Sequence, residues 1–175
     1  MDFFLFGFFH SLAGKSDFLN LIIVFLAKYL PYLLVLLFLF FAIFNNRNWR
    51  EKTRIFIASA LGVILSRGLL TEIIRFFYER PRPFEALPFQ PLISESVRNS
   101  FPSGHAAFFF ALTFSIFCFN RRLGYLFLIL TILNSFARVI AGVHWPTDIL
   151  GGFLVAFLAF LAIKKFLKLW SSKED

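Results

Sequence analysis

A histidine and an aspartate near the end of the chain have the types and the spacing that nucleophilic chemistry requires. His144 and Asp148 are four residues apart, so the carboxylate can hold one imidazole nitrogen while the other stays free to attack. Arg138 precedes them and supplies a permanent cation. An isolated His–Asp pair is often only structural. This one lies between two long apolar runs, where ionisable groups are costly and usually have a function.

Two more polar stretches lie upstream, each where an apolar run ends. The first extends from Arg75 to Pro83 and includes Arg82. Arginine presents planar donors that match phosphate oxygens in pairs, and the prolines stop the helix and fix the turn. Considered alone, this stretch is better explained as a basic stop at a membrane surface.

The second stretch is Pro102-Ser103-Gly104-His105, which has the pattern of a helix start. Main-chain N–H groups at a helix start are unpaired and lie at the positive end of the helix dipole, so they attract anions. Gly104 lets the backbone approach a ligand closely, Ser103 adds a hydroxyl donor, and His105 can exchange a proton near neutral pH. In isolation the tetrapeptide is equally an ordinary helix cap with a surface histidine.

The composition is that of an integral membrane protein. Of 175 residues, 59% are hydrophobic and only 16% are charged, which is more apolar surface than a soluble domain of this length can bury. The single cysteine, Cys118, cannot form an intramolecular disulfide, and no Cys/His spacing indicates a metal site, so we expect no metal or other cofactor. The formal net charge of +8 arises beside apolar runs, which favours membrane topology over nucleic-acid binding.

The elements that must position these residues are membrane helices. The apolar runs predict an all-α integral membrane helical bundle of about five spans, in a single domain over residues 1–175. The predicted spans are 18–44, 55–77, 102–120, 123–143 and 146–169. Pro31 should bend the first span, and the connection 78–101 is too rich in proline to be one helix. The apolar run within residues 1–16 is too short to span and predicts an N-terminal interfacial helix.

Five spans would put the three polar stretches on one side of the membrane. The connections 78–101 and 144–148 lie on that side. The other side receives 45–54, 120–122 and the C-terminus, which are strongly basic, so the positive-inside rule makes it cytoplasmic. We therefore expect the polar stretches to face the periplasm or cell exterior and the C-terminus to face the cytoplasm.

Two cations are predicted within the membrane itself. Lys28 and Arg67 each lie ten residues from the outer end of their span, about 15 Å below the surface. Glu72 lies between that level and Arg75, three residues before it, so it could brace that side chain. Two interpretations stay open: a buried polar network that neutralises itself, or a contact from Lys28 or Arg67 to a second phosphate or sugar group of a lipid.

Together the three stretches resemble the signature motifs of a known family. Arg75-x6-Arg82-Pro83, Pro102-Ser103-Gly104-His105 and Arg138-x5-His144-x3-Asp148 are similar to the three motifs of the type 2 phosphatidic acid phosphatase (PAP2) superfamily. The resemblance covers residues 75–152. Two positions depart from the pattern, because Arg75 stands where lysine is usual and Ala137 where serine is usual. The region 27–32 is also similar to small bacterial members that act on undecaprenyl diphosphate.

The resemblance implies a role for each motif residue. His144 would be the nucleophile and form a phosphohistidine that water hydrolyses, Asp148 would orient it, and His105 would protonate the leaving oxygen. The residues expected to bind the phosphoryl oxygens are Arg75, Arg82, Ser103, Gly104 and Arg138. The family needs no metal, and positioning with electrostatic stabilisation supplies most of the catalysis in such phosphoryl transfer.

The expected function is that of an integral-membrane lipid phosphatase in a bacterial inner membrane. Its substrate would be undecaprenyl diphosphate, lipid A 1-phosphate or phosphatidylglycerol phosphate, since small bacterial relatives use each of them. The expected partners are this lipid and the bilayer, with no nucleic acid and no required protein partner. Two alternatives stay open: a phosphotransferase that passes the phosphoryl group from His144 to another lipid, and a non-enzymatic transporter that uses the arginines as an anion path.

Overall fold

The protein is an all-helical bundle in a computed structural model that describes residues 2–95 and 99–171, with side chains through 165. Seven helices occur within these ranges. They are α1 Asp2–His10, α2 Asp17–Phe44, α3 Trp49–Phe77, α4 Pro83–Ala86, α5 Gly104–Phe119, α6 Arg121–Ile140 and α7 Pro146–Ser171.

Four of the five predicted spans are long and apolar enough to cross a membrane. They lie at Asp17–Phe44, Trp49–Phe77, Arg121–Ile140 and Pro146–Lys165. The remaining predicted span, 102–120, corresponds to α5. This helix has 16 residues and is only about 24 Å long, less than the hydrocarbon thickness of about 30 Å. Ten of its residues are buried, because α3, α6 and α7 pack around it. Since the other helices shield α5 from lipid, its shorter length is compatible with a place at the centre of the bundle.

Polar caps fix where the helices begin. The side chain of Asn48 accepts a hydrogen bond from Glu51 N at 2.9 Å and starts α3 six residues before the predicted residue 55. The prediction for that end was wrong, because the cap lies ahead of the apolar run. Asn120 likewise accepts from Leu123 N at 3.1 Å and starts α6 at Arg121.

The end of α6 determines how the chain reaches His144. The predicted end at residue 143 was three residues too late, since α6 ends at Ile140. Gly142 then adopts a φ of 86°, a left-handed conformation that glycine tolerates best. Val143 N donates to Arg138 O at 3.2 Å, so the turn folds back and keeps His144 beside the last turn of α6.

Both of the first two spans contain a π-helical segment, Phe25–Tyr29 in α2 and Ile64–Leu70 in α3. In α2 the segment comes just before Pro31, where the sequence predicted a bend. Proline has no N–H to offer the carbonyl four residues earlier, which is that of Ala27. Arg138 Nη1 donates to this oxygen at 3.3 Å, and Asn134 Nδ2 lies 3.4 Å from it. The π-helical segment of α2 therefore bonds to α6 through this carbonyl.

The N-terminal helix α1 packs against α6 and α7 beside the third polar stretch. Phe6 is buried against Val139 and Trp145, and His10 Nδ1 forms a 2.8 Å hydrogen bond with Ile140 O. Phe4 and Phe8 are strongly exposed. One side of α1 is thus packed on the protein, and the other presents the apolar surface expected of an interfacial helix.

Candidate active site

Two buried arginines tie the three polar stretches together. Arg75 lies in the last turn of α3, and its Nη2 donates to Pro102 O at 3.0 Å. Arg82 precedes α4, and its Nη1 donates to Val143 O at 2.7 Å. Burial lowers the pKa of Arg82, with Arg138 adding to this effect and Glu95 opposing it. Arg75 therefore reaches the second stretch and Arg82 the third.

The start of α5 brings two of its three predicted residues to a cavity. Gly104 and His105 line it, whereas the hydroxyl of Ser103 caps the helix and accepts from Ala106 N at 3.4 Å. Arg67 passes directly over Gly104, because a Cβ at that position would lie 3.0 Å from Arg67 Cζ and closer to its Nε. The glycine thus makes room for an arginine of α3.

The carboxylate of Asp148 is held from four sides. Its Oδ2 lies 3.2 Å from His144 Nδ1 and accepts from Trp145 N at 2.8 Å and from the Ser100 hydroxyl. Its Oδ1 accepts from Arg80 Nη1 at 2.8 Å. A carboxylate can only accept, so the proton of neutral His144 sits on Nδ1, and Nε2 keeps its lone pair.

His144 is buried and electrically neutral at ordinary pH. Burial lowers the pKa of His144 to about 4, and Arg138 lowers it too, although the hydrogen bond to Asp148 opposes the shift. The side chain is only 1% exposed and lines the cavity. The result is an imidazole whose free nitrogen is unprotonated and can attack an electrophile.

Arg138 and Arg75 each have a buried donor without a partner in the described part of the chain. Arg138 donates Nη1 to Ala27 O and Nη2 to Glu95, and Arg75 uses Nη2 for Pro102 O, but both Nε atoms lack an acceptor. Buried polar groups are almost always hydrogen-bonded, so unpaired donors beside a cavity indicate a place for a ligand acceptor.

Glu95 is a site residue that the sequence analysis missed. It lies in the long connection and pairs with Arg138 at the cavity wall. Burial by itself would raise the pKa of Glu95, but Arg138 and Arg82 outweigh this effect and the pKa is lowered. No motif or periodicity marks this glutamate, because the connection contains no regular element there.

A second missed group joins the N-terminus to Asp148. Asp2 accepts from Thr147 N at 3.2 Å and from Thr147 Oγ1 at 2.7 Å, and its other partner is Arg80. Arg80 also donates to Thr147 Oγ1 at 2.7 Å. Asp2 and Thr147 are 145 positions apart in the sequence, so no local pattern marks this group.

The motif residues that point inward line one cavity of about 410 Å³, namely Arg75, Arg82, Gly104, His105, Arg138 and His144. Five cations and one carboxylate line it, so its formal charge is 5 − 1 = +4 with both histidines neutral. They are Lys28, Arg67, Arg75, Arg82, Arg138 and Glu95. Asp148 supports the site from behind, and Glu72 pairs with Arg67 and lies 3.4 Å from Arg75 Nη1. A cavity with this charge is suited to a multiply charged anion.

The fold and the site define a helical integral membrane protein with a His–Asp pair facing an arginine-rich cavity. The family model described as the PAP2 superfamily matches residues 56–171, about two thirds of the chain. The chain belongs to this superfamily.

Named relatives agree with this assignment. The chain is 31% identical to the undecaprenyl-diphosphatase BcrC of Bacillus subtilis, over 90% of this chain and 80% of that protein. It is also 31% identical to the bacitracin transport permease protein BcrC of Bacillus licheniformis, over 90% of this chain and 76% of that protein. The crystal structure of Aquifex aeolicus LpxE superposes with a TM-score of 0.73 at 25% identity, and covers 92% of this chain and 93% of that one.

Proposed function

We propose that this protein is a phosphatase that hydrolyses the terminal phosphate of a membrane lipid through a phosphohistidine intermediate, without a metal ion. The observation that carries the proposal is the convergence of three arginines and a neutral histidine on one cavity. The histidine, His144, has its Nδ1 held by Asp148 and its Nε2 free, which is the arrangement a nucleophile needs.

In the proposed first step, His144 Nε2 attacks the terminal phosphorus. The bond from phosphorus to the lipid-side oxygen breaks, and His105, in its imidazolium form in the enzyme–substrate complex, gives that oxygen a proton and becomes neutral. Asp148 stabilises the positive charge that forms on the imidazole. In the second step a water molecule attacks the phosphohistidine, His105 recovers a proton from it, and inorganic phosphate leaves. Atoms and charge balance without any further reactant.

The arginines stabilise the charge that develops on the phosphoryl group. Arg75 and Arg138 offer the unpaired Nε donors, and Arg82 adds a buried cation held toward His144 through the Val143 carbonyl. These groups are already fixed, so little reorganisation is needed during the reaction. Gly104 contributes close backbone approach at the start of α5, and Ser103 acts by capping that helix.

Undecaprenyl diphosphate is the proposed substrate, with lipid A 1-phosphate and phosphatidylglycerol phosphate as rivals. The similarity to an undecaprenyl-diphosphatase over 90% of the chain supports this order. The lipid and the surrounding bilayer are the proposed partners. We place the site at the outer face of a bacterial inner membrane with the C-terminus in the cytoplasm, on the basis of the charge asymmetry of the loops.

The test is phosphate release by purified protein in detergent with a chelator present, from each of the three lipids. We expect release from at least one lipid, inhibition by vanadate, and an acid-labile label on His144 from a labelled substrate. Release of inorganic phosphate, rather than labelled lipid product, separates hydrolysis from phosphotransfer. No release from any of the three lipids would overturn the proposal.

The relative named as a transport permease makes a non-enzymatic transporter the second candidate. An anion path could use the arginines but would not need His105, His144 and Asp148 together. Phosphate release in detergent, where no membrane separates two compartments, would therefore exclude transport as the only activity.

A further inference from the structure

Two cations that line the cavity have no part in the proposed chemistry at His144. Lys28 and Arg67 lie in the π-helical segments of α2 and α3, and both line the cavity. Such segments are rare in proteins as a whole, and those that occur are frequently found at functional sites. Two different helices thus deviate from regular α-helix at the positions that present a cation to one cavity.

Arg67 is placed by its neighbours. Its guanidinium lies over Gly104, next to His105, and pairs with Glu72. Its side chain is 34% exposed, in contrast to 6% for Arg75 and 3% for Arg138. Arg67 therefore flanks the residue proposed to protonate the leaving oxygen, on a part of the cavity that is open to a ligand.

Lys28 has less support from the protein. Its Nζ lies 5.6 Å from the centroid of the Tyr29 ring, and within the described residues no carboxylate lies within ion-pair distance. A lysine within a membrane helix is costly unless a partner or water neutralises it. A ligand anion in the cavity would provide that partner.

The charges of the cavity exceed what one phosphate can balance. The residues that line it carry a formal charge of +4, and Glu72, which does not line it, pairs with Arg67. A phosphate monoester carries up to about two negative charges near neutral pH, and a second esterified phosphate adds about one more. A diphosphate therefore balances more of the positive charge of this cavity than a monophosphate does.

We infer that Lys28 and Arg67 form a second anion subsite, which holds the inner phosphate of a lipid diphosphate while its terminal phosphate lies at His144. This inference rests on the proposed function. The bond that breaks joins the terminal phosphorus to the bridging oxygen, so the leaving group is the lipid monophosphate. Arg67 and Lys28 stabilise its charge as His105 protonates it. The subsite would select diphosphates over monophosphates.

The test compares farnesyl diphosphate with farnesyl monophosphate as substrates of the purified protein in detergent. Arg67→Met and Lys28→Met should each lower kcat/KM for the diphosphate by about ten- to a hundredfold, the usual value of a charge-assisted hydrogen bond, and for the monophosphate by less than about threefold. Arg67→Lys should recover much of the loss, since it keeps the charge.

Matched controls are Arg122→Met and Lys165→Met, which remove an arginine and a lysine from exposed positions away from the cavity. Both should leave the ratio of the two kcat/KM values unchanged. Equal losses on both substrates, or an unchanged ratio in Arg67→Met and Lys28→Met, would overturn the second subsite while leaving the phosphatase intact. No release from either substrate by the unmodified protein would instead count against the proposed function.

Discussion

The charged residues around the cavity form two groups that differ in exposure: a rigid end, defined by His144, Asp148 and Arg138, and an open end, defined by Arg67 and Glu72. At the His144 end the side chains of His144, Asp148 and Arg138 are at most 3% exposed, and main-chain atoms fix them in place. At the other end Arg67 is 34% exposed and its partner Glu72 is 52% exposed. Fixed, desolvated groups suit bond-making, whereas partly exposed groups can contact a ligand that enters the cavity.

This difference follows from the elements that carry each end. The His144 end is built where α6, α7 and the long connection meet and cross-link through Arg82 and Ser100. The other end lies between α2 and α3 at their π-helical segments. Experiments on the rigid end should therefore change kcat, and experiments on the open end should change substrate preference.

Removing the nucleophile should give the largest effect. We expect His144→Ala to reduce phosphate release to background while the purified protein stays folded and elutes as a single species, because His144 is the imidazole that Asp148 holds. His10→Ala is the matched control, since His10 Nδ1 bonds the Ile140 carbonyl of α6 and the ring does not line the cavity. Near-normal turnover by His144→Ala would contradict the assignment of bond-making to the rigid end.

The burial of His144 should also appear in the pH dependence of stability. Its pKa is about 4 in the fold and about 6.5 in the unfolded chain, so the unfolded state binds a proton first as the pH falls. The free energy of unfolding therefore falls as the pH drops from about 6.5 toward 4, by about 3 kcal/mol in all, and above about pH 6.5 the full stability is present.

Thermal midpoints in detergent between pH 7 and pH 4 would measure this loss. We expect a smaller fall for His144→Gln, which cannot take up the proton, than for the unmodified protein. If the thermal midpoints of the two proteins fell equally with pH, His144 would not be desolvated. The rigid end would then be as solvated as the open end.

Substitution of Arg80, which bonds the Asp148 carboxylate, should have an intermediate effect on the rate. We expect Arg80→Gln to lower kcat by about tenfold with KM almost unchanged, because Arg80 bonds the carboxylate and does not line the cavity. Arg80→Lys, which keeps the charge, should retain more of the rate. An increase in KM at constant kcat would contradict this positioning role, and Arg50→Gln, at an exposed site, serves as the control.

The smallest effect is expected at Glu95. Replacing it with glutamine removes a carboxylate from the cavity wall and releases Arg138 from an ion pair, so anions should bind more tightly. We expect vanadate and product phosphate to inhibit Glu95→Gln at about three- to tenfold lower concentration. Weaker inhibition would show that Glu95 holds Arg138 in its productive position, which would sharpen the assignment of Arg138 to the rigid end.

Part of the site was predictable because it is local in sequence. The four-residue spacing of His144 and Asp148 and the helix start at Ser103 depend on contacts within a turn or two of helix. The spans were predictable for the same reason, since hydropathy averages over neighbours. The boundaries that failed, at residues 55 and 143, depended on a single cap and a single glycine turn.

The partners of the charged groups were not predictable in this way. Asp2 reaches Thr147 across 145 positions of sequence, and Arg138 reaches Glu95 across 43. The carbonyl of Ala27 anchors Arg138 because Pro31 cannot bond it, yet the sequence indicated only a bend. Contacts of this kind arise only when separate helices pack, so no local pattern encodes them.

The sequence by itself determined that this is a membrane helix bundle with three polar stretches at span ends, because hydrophobicity and short spacing are properties of adjacent residues. The tertiary structure decided which charges are buried and paired and which remain open to a ligand. Burial and pairing set the protonation of His144 and the net charge of the cavity. Both depend on the distance between atoms from different helices, and only the packed bundle fixes those distances.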